Sequence, residues 1–240
     1  MSANAKASAN EITRPVALTD LGQETLRRLM REWFEFERRL ATVPVVRRLD
    51  VGTFTRDDYQ RLLLNLRPQV VEGSRWISRC ASSFDREHAD IRSVILRHAT
   101  DEHRDYEVLE QDFVATGGEL DVIRAQPKNP GSEALHAFLM FKASEPNPGG
   151  LLGAMWIIEG LGEKMASNWA ERIRSLTGCD DECTRFLRYH GHNDDAHMDK
   201  LYGLIDRICT SERAADDVVT TARVVGRLYA WQLEEVDSEC

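Results

Sequence analysis

The segment FLRYHGHNDDAHMDKLYGLIDRI at residues 186–208 holds the spacing most suggestive of chemistry. At about 100° per residue, a helix brings His190, Asp194 and His197 within about 60° of one another. Leu187 precedes them and Leu201 and Leu204 follow on the same face, so three polar side chains stand on the stripe that should face a core. Burying such groups without partners costs several kcal/mol. A shared metal ion would satisfy all three at once, and a buried hydrogen-bond network is the plainer alternative. His192, Asp195 and Asp199 point elsewhere and read as a solvated face.

Three further helices repeat this break in pattern. Leu152, Met155, Glu159, Gly162, Ala166 and Trp169 follow helical spacing with one carboxylate in mid-stripe, and Gly160 and Gly162 make room for a ligand or a facing helix. Upstream, Ile91, Ile95, His98, Glu102, Asp105, Leu109 and Phe113 recur at steps of three and four. Glu102 and Asp105 lie one turn apart and can reach a common ion; His98, one turn before, is a ligand or a donor that orients one. His103 is rotated by about 100° and reads as a surface residue. Glu72 sits in QVVEGSRW beside Trp76 and beyond Pro68. Taken alone, Glu159 reads better as a buried structural carboxylate, and Glu72 is unremarkable. Together, four helices place carboxylate or imidazole on faces that should be apolar.

HxxxDxxH near the C-terminal end, a lone Glu159 upstream, Glu102 with a second ligand three residues on, and Glu72 before them resemble the heme-oxygenase-like diiron oxidases, also described as iron-containing redox enzymes. The resemblance covers about residues 62–208 and implies a heme-oxygenase-like fold, two iron ions with manganese an alternative at one position, and dioxygen as co-substrate. Carried over by position, Glu72 and Glu159 would be bridging or terminal carboxylates, Glu102 and Asp105 would serve one iron, and His190, Asp194 and His197 would complete the pair. Relatives usually have His where this chain has Asp105, giving ExxH; His98 is then a substitute ligand. The implied chemistry includes N-oxygenation, oxidative carbon–carbon cleavage and olefin-forming decarboxylation of a small organic substrate, with an electron donor as a further partner.

The donor set is consistent with that implication. Five carboxylates and two imidazoles make a hard, oxygen-rich site suited to iron or manganese, and five negative charges outweigh the four positive charges of two ferrous ions. Arg75 or Arg79, next to Trp76, could hold a substrate carboxylate, although exposed arginines more commonly pair with Asp and Glu. A metal-free TenA/PqqC-like enzyme binding an aromatic substrate is the alternative within the fold; thiaminase-type members depend on a cysteine nucleophile, and Cys80 has no activating base nearby in sequence. True heme oxygenase would need a proximal histidine near the start of the first helix. A non-catalytic iron-binding bundle of ferritin type needs ExxH on two long helices, and the one literal match, Glu133 with His136, falls on a short helix.

The elements that must position these residues are helical throughout, with no strict two-residue alternation. Seven helices are expected, at about residues 20–41, 55–82, 86–115, 133–142, 151–176, 180–208 and 211–235. Thr55 with Asp58 has the spacing of a capping box, Gly117 and Gly118 end the third helix, Ser211 opens the last, and Pro68 should kink the second. The last helix reads as packing, at a homodimer interface. With 240 residues, 42% hydrophobic and 30% charged, residues 19–236 are expected to form one all-α domain behind a frayed polar segment, residues 1–18. A net charge of −9 argues against a nucleic-acid partner, and the longest apolar run, residues 151–158, is too short to span a bilayer. Five cysteines without a paired CxxC read as ordinary thiols in the cytoplasm; Cys179 and Cys183 supply only half a zinc site.

Overall fold

The reciprocal cap expected at Thr55 is present. Asp58 N–H donates to Thr55 Oγ1 (3.1 Å) and Thr55 N–H donates back to Asp58 Oδ2 (2.9 Å), and from it a 28-residue helix runs unbroken through Pro68. The computed structural model describes residues 18–238, apart from the side chains of residues 193–197; the segment expected to be frayed falls almost wholly outside them. Within these residues there are eleven α-helical segments and no strand: α1 (Asp20–Leu40), α2 (Pro44–Val51), α3 (Arg56–Ser83), α4 (Ala89–Glu102), α5 (Asp105–Ala115), α6 (Leu120–Ala125), α7 (Pro130–Ala143), α8 (Leu151–Leu161), α9 (Ser167–Thr177), α10 (Arg185–Ile208) and α11 (Glu212–Glu234). A π-helical turn, Gly162–Ala166, joins α8 and α9 into one rod.

The all-α, single-domain reading therefore holds, while the count of seven does not. α2 and α6 have eight and six residues, too few for an apolar repeat to declare itself. The expected third helix is broken at His103 and Arg104, where Arg104 leaves the helical region at φ −126° and ψ 9°. α7 starts earlier than expected because Asn129 accepts from Ser132 N–H (2.8 Å) and Pro130 occupies the first turn, a position where its missing N–H costs nothing. Ser211 caps α11 by accepting from Ala214 N–H.

The rod α8 is the axis of the bundle. Ten of its eleven residues are buried, and it packs on α11 where Gly153 lies against the backbone: a Cβ there would sit 2.0 Å from Val218 O. Gly160 faces Trp33 of α1. Of the two uses expected for the glycine pair, Gly160 thus accommodates a facing helix, and Gly162 lines a cavity. The apolar face of α11 is taken up by α1, α7 and α8.

Three contacts set the start of α10. Tyr59 donates its hydroxyl to Cys183 O (2.7 Å). Asp112, wholly buried on α5, accepts from Phe186 N–H (2.8 Å) and lies 3.5 Å from Arg185 Nε. Further along, Gly191 presses on Ser167, whose Oγ would lie 2.0 Å from an added Cβ. Together they pin the turn that carries His190.

Burial pushes Asp112 up to about 6 against an ordinary 3.8, even though the Phe186 amide and Arg185 favour its charged form. Between these values the native state keeps a proton that the unfolded chain has released, so this group's contribution to stability falls as pH rises through the window, by about 3 kcal/mol in total. The unfolding free energies of the parent and of Asp112→Asn, followed by urea melts from pH 4 to 6, are expected to differ by that slope, present in the parent and absent in the variant. Parallel pH profiles would contradict it.

Candidate metal centre

The break between α4 and α5 falls between two of the expected donors: Glu102 is the last residue of one helix and Asp105 the first of the next. The two carboxylates are nonetheless brought together. Glu102, Asp105 and His190 each offer a ligand atom within 4.8 Å of the others, and so do His98, Glu102 and Glu159. Glu102 belongs to both triads. His98 Nε2 lies 3.1 Å from Glu159 Oε1, and His190 Nε2 lies 3.5 Å from Asp105 Oδ2. His98, Asp105 and Glu159 are buried, and Glu102 and His190 half-buried.

Each donor is held by its helix and by neighbouring rings or packing. Glu159 stands two residues before the end of α8, which leads into the π turn, a feature frequent at functional sites. The His190 imidazole packs edge-on against Phe186, with centroids 4.5 Å apart, and against Tyr189 at 5.5 Å. These contacts pack the ring, and its Nε2 lies toward Asp105 of α5.

Five of the expected residues thus assemble: His98, Glu102, Asp105, Glu159 and His190. The side chains of Asp194 and His197 lie outside the described residues. His103 is exposed, as expected, and its Nδ1 is 2.9 Å from Thr100 O. Asp105 sits in a triad with an imidazole from α10, so a carboxylate occupies this place without scattering the group.

Glu72 is not brought to either triad. Its carboxylate accepts from Lys128 Nζ (3.0 Å) and Arg75 Nη1 (2.7 Å), with His136 Nε2 at 3.9 Å. Burial opposes its ionisation, but the Lys128 hydrogen bond and the His136, Lys128 and Arg75 charges outweigh that and hold its pKa below the usual carboxylate value. One turn earlier, Gln69 faces the site in its place, lining a cavity of about 100 Å³ with Glu102, Glu159 and His190. Its position seven residues before Trp76 on the same face was the signal for it. Arg75 and Arg79 are likewise directed elsewhere, Arg75 to Glu72 and Arg79 Nε to Ser144 Oγ (3.0 Å). Trp76 does face the site: with Ile77 and Glu159 it forms a wall shared by this cavity and a second of about 50 Å³.

An all-α bundle with carboxylates and imidazoles gathered on four inner helix faces defines a class of helical metal-site proteins. The sequence profile of the iron-containing redox enzyme family matches residues 62–230, and the chain belongs to that family. Its fold is similar to that of a domain of unknown function with a heme oxygenase-like fold from Shewanella denitrificans (TM-score 0.81, 17% identity, 92% of this chain and 93% of that one). It is also similar to a TenA homologue from Pseudomonas syringae pv. tomato (TM-score 0.72, 13% identity, 97% and 99% covered), and to one from P. horikoshii (TM-score 0.67, 14% identity, 88% and 97% covered). No curated protein sequence matches the chain. No helix among the described residues is long and apolar enough to cross a membrane.

The different surroundings of Glu72 and Glu102 set an ion-paired carboxylate apart from a candidate metal ligand. Glu72→Gln is expected to lower stability by about 1–3 kcal/mol at neutral pH. Because the native pKa is depressed, that loss should fade as pH falls below the ordinary carboxylate value. Metal uptake by Glu72→Gln should match the parent, whereas Glu102→Gln should lose it. Equal loss of metal in both variants would return Glu72 to the ligand set.

Proposed function

We propose that this chain is an oxygen-activating oxidase or oxygenase that holds two iron ions, with manganese an alternative at one position, and acts on a small organic substrate. The observation that carries the reading is a pair of donor triads sharing Glu102 beside a cavity. Carboxylates and imidazoles are hard to borderline donors that suit iron and manganese, so the residues fit the group. His98, Glu102 and Glu159 would hold one ion, and Glu102, Asp105 and His190 the other, with Asp194 and His197 the further ligands expected from the sequence. When bound, such a pair supplies the redox chemistry that turns dioxygen on an organic substrate, with an electron donor restoring the reduced state.

The protein's own part is placement and exclusion of water. Phe186 and Tyr189 hold the His190 ring, and Trp76, Ile77, Trp169 and Leu187 close the cavity around the donors. With Glu72 engaged by Lys128 and Arg75, the described donors include three carboxylates, and Asp194 brings the number to four. Their charge then balances two ferrous ions instead of exceeding it.

A thiol-dependent, metal-free enzyme on the same fold has a weaker footing. Cys80 lines the apolar cavity, but burial pushes its thiol up to about 12, which leaves little thiolate at neutral pH.

Anaerobic reconstitution with ferrous iron, metal analysis and exposure to oxygen test the proposal. About two irons per chain and a visible absorption change on oxygenation are expected. His98→Ala and Asp105→Ala should each lower the content by about one ion, and Glu102→Ala should remove both. Iron at background in the parent would overturn the metal reading in favour of the metal-free one.

A further inference from the structure

Away from the donor triads, the least satisfied polar groups lie where α3, α7 and α11 meet. Ser132 and Gln232 are wholly buried, yet Ser132 Oγ and both amide atoms of Gln232 have no hydrogen-bond partner among the described residues. One turn along α7, the buried Nδ1 of His136 has none either. The helices touch at this point, since a Cβ on Gly131 would lie 2.5 Å from Gln232 N. Asn129 ties them together: its Nδ2 donates to Asn65 Oδ1 of α3 (2.9 Å) and to Gln232 O of α11 (3.0 Å), and its Oδ1 accepts from Ser132 N–H (2.8 Å). Buried polar groups are almost always paired, so four such atoms in one seam point to a ligand. The seam lies between solvent and the donors. On its outer side His136 Nε2 is 3.9 Å from Glu72 Oε2, and the exposed Arg75 donates to that carboxylate. On its inner side Tyr229 and Leu233, to either side of Gln232 on α11, line the cavity of about 100 Å³, as does Gln69, one turn from Asn65 on α3.

We propose that Ser132, His136 and Gln232 hold a short chain of ordered water, and that this chain admits protons from the Glu72–His136 pair to the donor cavity. The choice of water follows from the groups themselves. Gln232 has a donor and an acceptor to satisfy, and a serine hydroxyl can be either. A cation would serve the oxygens alone and an anion the N–H group alone, whereas water serves both, and a buried water typically makes about three such bonds. His136 joins the chain to the outside. Burial, aided by Lys128 and Arg75 and opposed by Glu72 and Glu133, holds its pKa below the ordinary 6.5, so the ring is mostly neutral at neutral pH. A neutral imidazole takes one proton at Nε2 for each that it releases from Nδ1, and no electron moves. The proton role rests on the oxygen-activating reading, because reduction of dioxygen consumes protons; the water site does not.

High-resolution crystallography of the metal-free protein tests the water site. Ordered water is expected within hydrogen-bond distance of Ser132 Oγ, of the Gln232 amide and of His136 Nδ1, and a dry seam would overturn the proposal. Gln232→Leu, checked for helicity by circular dichroism, should lose that water. The proton role is read from oxygen consumption by the iron-loaded protein. His136→Gln and Gln232→Leu should take up iron as the parent does and consume oxygen roughly tenfold more slowly or less, and added imidazole should restore the rate of His136→Gln. The parent's rate in both variants would overturn the route. Iron at background in the parent would overturn the metal reading, and the proton role with it, while the metal-free crystal still decides the water site.

Discussion

Everything near the centre of this bundle depends on keeping three carboxylates and two imidazoles next to one another and largely out of water. Glu102, Asp105 and Glu159 cannot be desolvated singly at acceptable cost. Their closeness to His98 and His190 turns five separate penalties into one shared arrangement. Such an arrangement is tolerable only if the backbone holds the partners together, and the helices are built to that end.

The means are local and differ from helix to helix. On α8 the donor is followed by a π turn; on α10 a buried aspartate from another helix caps the first turn and a glycine seats the next against Ser167. α3 contributes no donor from Glu72 but presents Trp76 and Ile77 as the partition between two cavities. One cavity has most of the polar groups and the other is almost wholly apolar, and the same wall separates the two.

How much of this could be read from the sequence depended on the range of the interactions. The caps at Thr55 and Ser211 and the apolar stripes with their polar interruptions are local, and they located four of the helices that carry the site. Glu72 stands apart from both triads, and helical periodicity could not show this, because it places Gln69 and Glu72 on neighbouring parts of one buried face. What decides between them is Lys128, 56 residues away on a loop. The turn at His103 and Arg104 has no glycine or proline to announce it, and α2 and α6 are too short to show a period.

The interruption between α4 and α5 bears on mechanics. Within one α-helix, residues three apart are held at a separation set by the helical repeat, and two carboxylates so placed would move as a rigid pair. Here two non-helical residues separate Glu102 from Asp105, and each donor rides on its own helix, one ending and one beginning. The joint gives the pair a compliance that a continuous helix lacks, so the spacing of the two carboxylates can follow whatever lies between them without either helix bending.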